Sequence, residues 1–154
     1  MSLIYHLWWN ESVKPKARPR VTCNGTYMPV DYTEMKAKAS ACLLQQWTDL
    51  GKSSPIEYKV RVYMFFVGKH SRSSDYVDNV PGTIYDAMVA VGIILNDNGL
   101  HAPGGIHDLE HYTTLRPRLD ILIAPWLPFA DSLEQFAEVC DWLKAQRSIE
   151  LVLS

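Results

Sequence analysis

A chain of 154 residues, 47% hydrophobic and 21% charged, has the length and apolar content for one globular domain, spanning residues 1–154, whereas two domains would each be undersized. The net charge of −2 and pI near 6.2 exclude nucleic-acid binding through overall basicity, so a cationic surface must be a local patch. No apolar run approaches a membrane span, and the start "MSLIYHLWWNES" lacks the basic head and cleavage pattern of a secretion signal, which makes the cytoplasm the expected location. Cys23, Cys42 and Cys140 stand far apart without CxxC or Cys/His pairing, an argument against zinc and for buried free thiols. The glycosylation tripeptides at Asn10 and Asn24 are read as chance matches.

Residues 3–8 are rich in β-formers and predict a first strand. Residues 14–29 carry prolines and an Asn24-Gly25 turn signal, as a loop or irregular hairpin does. Met35, Ala39, Cys42, Leu43, Gln46 and Trp47 then recur at helical spacing, with Thr33 as the expected N-cap and Gly51 as the stop. The run at 57–67 alternates and then becomes continuously apolar, which predicts a strand in the middle of a sheet. A polar Gly- and Ser-rich loop follows, and Pro81 sits where the first turn of a helix tolerates proline.

That helix places Ile84, Ala87, Met88 and Val91 on one apolar face and ends at Gly92; residues 93–99 resume an extended path and turn at Asp97-Asn98-Gly99. Residues 100–115 give no assignable pattern, and 118–125, "RLDILIAP", predicts another strand. Asp131 or Ser132 is the expected cap of a last helix that buries Leu133, Phe136, Ala137, Cys140 and Leu143 and ends near Gln146, before an apolar tail. Strands and helices interleave without a regular βαβ cadence, which predicts an α+β fold with a mixed β-sheet packed against helices.

Acidic residues bracket the middle helix. Asp75, Asp78 and Asn79 precede it, Asp86 lies inside it and Asp97 follows. If the helix returns the chain, Asp97 comes back beside Asp75 and Asp78, and clustered carboxylates raise one another's pKa unless a cation neutralises them. Magnesium suits such an oxygen-donor set, and a metal there can bridge a phosphodiester and activate water, the chemistry of a nuclease or phosphatase. Asp and Asn are also preferred caps and turn formers, so spacing alone leaves local structural roles open. An EF-hand is excluded, because from Asp75 the third position is Val77 and the sixth is Val80 in place of glycine.

Lys14, Lys16, Arg18 and Arg20 fall within seven residues with no acid among them, and Lys69, His70 and Arg72 lie just before the acidic group. Such cations suit phosphate contacts, although a short basic loop is more often plain solvated surface. His101, His107 and His111, with Asp108 and Glu110, have a spacing that fits a mobile polar loop better than a second metal site. The five tryptophans border apolar runs and are expected in the core.

Taken in order, "KPKARPRVTCNGTYMP", "YTEMKAKASACLLQQW", "VRVYMFFV" and "DYVDN...YDAM...GIILNDNG" resemble the RusA family of Holliday-junction endonucleases from residue 14 to residue 97, with "LDILI" as a continuation and 128–154 as a C-terminal helical extension outside the likeness. The resemblance implies an α+β, magnesium-dependent endodeoxyribonuclease of DNA recombination and repair, with manganese as an alternative metal, acting as a homodimer on four-way junctions. Its pattern is Asp-x-Asp-Asn, a lysine four residues after the second Asp, an Asp-Ala-Leu in the same helix, and a later Asp-Asp pair. Asp78 and Asn79 match the second acid and its Asn, Asp86 to Met88 match the helical tripeptide, and Asp97 matches the last acid.

Three positions depart from that pattern. Tyr76 takes the place of the first acid, so Asp75 serves only if the loop is one residue longer; Gly82 replaces the lysine; Asn96 replaces the first acid of the final pair. The expected metal ligands are Asp75, Asp78 and Asp97, supported by Asn79 and Asp86, with Lys69 or Arg72 as the candidate substitute for the missing lysine. Lys14, Lys16, Arg18, Arg20 and Arg72 are the expected DNA contacts. The alternative is a descendant that still grips branched DNA but cuts poorly, since Tyr76 and Gly82 stand where two working groups would be.

Overall fold

The structure is a computed structural model that describes residues 4–14, 19–68, 79–96, 98, 105–110 and 116–153, with backbone alone at 79, 105–110 and 146–153. In chain order its elements are β1 (Tyr5–Trp9), β2 (Arg20–Thr22), β3 (Gly25–Tyr27), α1 (Val30–Asp49), β4 (Val60–Val67), α2 (Asn79–Ala90), β5 (Gly105–Glu110), β6 (Arg118–Pro125) and α3 (Phe129–Leu153). Four strands form a sheet in the order β1-β6-β4-β5, while β2 and β3 pair with each other. The sheet is mixed: β6 is antiparallel to β1 and β4, and β5 is parallel to β4. The fold is therefore α+β, with one β4-α2-β5 crossover in an otherwise antiparallel layout.

Alternation along the strands divides the interior in two. Val60, Val62, Met64 and Phe66 of β4 join Leu119, Ile121 and Ile123 of β6 against α1 and α2. Tyr63 and Phe65, with Leu122 and Ala124, meet Val139 and Leu143 of α3 on the other face. A strand buried on both faces needs an apolar residue at nearly every position, which is why 62–66 reads as a continuous run.

The expected α1 starts too late. Thr33 lies inside the helix, its amide and hydroxyl both donating to the Pro29 carbonyl at 3.1 Å, and Pro29 takes the cap position with no side-chain bond. Pro29 has the extended backbone an N-cap requires, so the helix opens four residues earlier than the Thr33 signal implies. Gln46, on the buried face, reaches β1: its amide accepts from the Trp8 N–H and donates to the Trp8 carbonyl, each at 2.8 Å. This pair of bonds satisfies outward-facing backbone groups on an edge strand that would otherwise offer them to another chain.

Pro81 falls in the first turn of α2, and Val80, Thr83, Ile84, Ala87 and Met88 are buried. The helix stops at Gly92, whose φ of +76° is open to glycine and strained for other residues. Ile93 donates back to Met88 at 2.9 Å, closing the last turn in the manner of a Schellman motif. The extended path expected after it shrinks to one bridge, Ile94 to Ile56, beside the approach to β4. In the unassigned stretch, β5 runs parallel to β4 from Val62↔Gly105 to Val67↔Glu110.

α3 is rotated from the expected stripe. Ser132, Gln135, Val139 and Leu143 are buried, whereas Leu133 is 57% exposed and Ala137 is also exposed. The buried Tyr63 hydroxyl decides the rotation: it donates to Gln135 Oε1 at 2.6 Å, and Gln135 Nε2 donates to the Pro125 carbonyl at 3.0 Å. The helix starts at Phe129, ahead of both expected caps, and its backbone continues past Gln146 to Leu153. The tryptophans divide, with Trp9 and Trp47 buried but Trp8 40% and Trp142 36% exposed. All three cysteines are free, and Cys23 is exposed where a buried thiol was expected. No helix among the described residues is long and apolar enough to cross a membrane.

Candidate functional site

The register of the sheet brings several chain segments to one of its ends. Val67 pairs with Arg118 and Glu110, Trp9 with Leu119 and Trp8 with Asp120. The exits of β1, β4 and β5 and the start of β6 therefore share that end. From β4 the chain passes Gly68 and reaches α2 at Asn79; from β1 it passes the fully buried Val13 and reaches Lys14. These two routes meet, since Thr83 Oγ1, on a fully buried residue one turn into α2, donates to the Lys14 carbonyl at 2.8 Å.

That bond fixes the root of the basic segment against the helix that opens the acidic motif. Asn79 is the first residue of α2. Asp86 is half-buried and lies off the apolar face, as does Gly82. Asp75, Asp78 and Asp97, Lys69 and Arg72, and Lys16 and Arg18 lie outside the described residues, as do His101 and His111. His107, Asp108 and Glu110 belong to strand β5, which corrects the expectation of a loop there. Among the described residues, no group of three or more His, Cys, Asp or Glu side chains could hold a metal.

Of the expected DNA contacts, Lys14 and Arg20 are described, and Lys14 has carboxylate neighbours that the linear sequence hides. Its ammonium is 3.5 Å from Asp31, and a cavity of about 260 Å³ beside it is lined by Glu11, Asp31, Glu34 and Lys38. Both partners of the Lys14–Asp31 pair are solvated, so the pair is weak and open to exchange. Arg20 is exposed at the start of β2, and no described carboxylate forms an ion pair with it.

An ionic cluster that sequence reasoning missed occupies the same end of the sheet, on the α3 face. Asp120 is buried in β6 and accepts from His6 Nε2 at 2.8 Å and from Arg118 Nε and Nη2 at 3.2 Å. Burial pushes its carboxyl up, but these hydrogen bonds and the guanidinium charge outweigh that and hold it below the usual carboxylate range. His6 is itself packed between Trp8 and the edge of Trp142. The signal was present in "RLDILI": an Asp inside a strand that is otherwise apolar must bring partners with it.

The family model described as Endodeoxyribonuclease RusA matches residues 12–124, from just before the basic segment to the end of β6. No curated protein matches the chain.

Proposed function

The chain belongs to the RusA endodeoxyribonuclease family, and from that premise we propose that it is a magnesium-dependent nuclease that resolves four-way DNA junctions by phosphodiester hydrolysis in the cytoplasm. The observation that carries this reading is the bond from Thr83 to Lys14, which roots the cationic segment on the helix of the acidic motif. A phosphate-binding segment and a metal-binding motif are useful to one another only when they address the same strand.

Asp75, Asp78 and Asp97 are the proposed metal ligands, with Asn79 and Asp86 in support. As a donor set they fit magnesium, being all oxygen donors and mostly carboxylates. When bound, the cation supplies Lewis-acid polarisation of the scissile phosphate and of the attacking water; manganese offers the same chemistry. Lys14, Lys16, Arg18, Arg20 and Arg72 hold flanking phosphates, and Lys69 or Arg72 supplies the positive charge absent at Gly82. A homodimer suits the substrate, since a two-fold axis presents two equivalent sites to symmetry-related strands of a junction.

The test is cleavage of a labelled four-way junction with and without magnesium by wild type and Asp78→Asn. Paired nicks that require magnesium and vanish in the variant are expected; a variant that cuts as well as wild type would remove Asp78 from the site. The second reading, a protein that grips branched DNA without cutting it, is favoured by Tyr76 and Gly82, and tight binding without nicks in either protein would select it.

A further inference from the structure

The β2–β3 ribbon stands away from everything that would stabilise it. All eight residues from Arg20 to Tyr27 are exposed, with Val21 at 80% and Tyr27 at 47%. Among the described residues the two strands pair with each other and with no other strand, in the register Arg20↔Tyr27, Val21↔Thr26 and Thr22↔Gly25. The turn falls on Cys23-Asn24, one residue before the expected Asn24-Gly25: Asn24 N donates to Thr22 Oγ1 at 3.3 Å, and Gly25 takes the positive φ, +119°. Gly25 could carry a side chain in the space available, so its backbone angle is what requires glycine.

An isolated two-stranded hairpin is marginal in water, and an exposed Val and Tyr add nothing to a fold that does not touch them. The chain after the ribbon is held at once by Met28, packed against the main core, and the chain before residues 15–18 is held by Val13 and the Lys14 carbonyl. Its charge is one-sided as well, because residues 12–30 contain Lys14, Lys16, Arg18 and Arg20 and no Asp or Glu. A two-stranded ribbon that opens on Arg20, follows a basic segment and carries no acid matches the major groove of B-form DNA, which is about 12 Å wide and admits such a ribbon.

We propose that the β2–β3 ribbon seats in the major groove of a duplex arm of branched DNA, with Arg20 on the phosphate backbone and Val21 and Tyr27 against sugars and base edges. This rests on the DNA-binding part of the reading above and does not depend on cleavage. Since the ribbon buries nothing in the core, its contacts can be removed without unfolding the protein.

The experiment is a titration of labelled junction with the intact protein, wild type beside Val21→Ser/Tyr27→Ala and Arg20→Gln, over a range of salt, with circular dichroism confirming folding. The double variant should weaken junction binding about tenfold, and Arg20→Gln should lower the salt slope by roughly one contact. Cys23, exposed at the tip, should exchange with a mixed disulfide tethered to a base in the major groove near the branch, joining its Sγ to the DNA-borne sulfur and releasing the small capping thiol, and Cys23→Ser should lose the cross-link. Wild-type affinity in the double variant, or no cross-link at any tether position, overturns the ribbon assignment even if the protein cuts. Binding and cross-linking by a wild type that does not cut would support the ribbon and overturn the nuclease. Failure of wild type to bind any junction overturns both.

Discussion

Two pairs of strands in this molecule face opposite fates. β4 and β6 lie inside a sheet covered on both faces, so most of their side chains are buried and each strand is paired on both sides. β2 and β3 are joined just as regularly, yet none of their side chains is buried. Regular pairing is thus no measure of how far an element contributes to stability; burial is.

The contrast predicts a graded series of substitutions. Phe66→Ala removes a fully buried aromatic from the centre of the platform and should cost about 3–5 kcal/mol, read from urea unfolding. Asp120→Ala should cost about 2–3 kcal/mol at neutral pH, since it deletes three hydrogen bonds to a buried charge. The Asp120 carboxyl is held below its unfolded value, so this stabilisation is complete above about pH 4–5 and is lost as pH falls through the native value. Unfolding curves of wild type and variant should therefore converge as the solution is acidified, and a gap unchanged at acid pH would show that Asp120 acts through packing.

Tyr63→Phe strands the Gln135 amide oxygen between β4 and α3 and should cost about 1 kcal/mol, with α3 amides exchanging faster. Smallest of all, Tyr27→Ala in the ribbon should change stability by less than about 0.5 kcal/mol. A large loss there would mean that the ribbon packs on the body, and the contrast between the two pairs of strands would collapse.

How legible each region was follows the same division. The strand at 57–67 was readable because burial on two faces leaves an unmistakable apolar run, although its observed bounds begin at Val60. The helix through Pro81 and its stop at Gly92 were readable from local backbone chemistry. Of the candidate site, the acidic and basic motifs and their family were legible, since they are strings of residue types. Their connection through Thr83 was not, because a buried hydroxyl meeting a carbonyl 69 positions away leaves no trace in spacing.

The amino-acid sequence by itself determined which stretches must be buried, where glycine and proline end or permit helices, and where positive and negative charge concentrate. Those are properties of a residue and its near neighbours. Tertiary structure alone decided that β5 lies parallel to β4, that α3 turns Gln135 to Tyr63 instead of following its apolar stripe, that Asp120 draws in His6 and Arg118, and that β2 and β3 stay outside the sheet. Each depends on which distant group satisfies a buried polar atom or an open strand edge, and periodicity reports that a face is buried without naming what covers it.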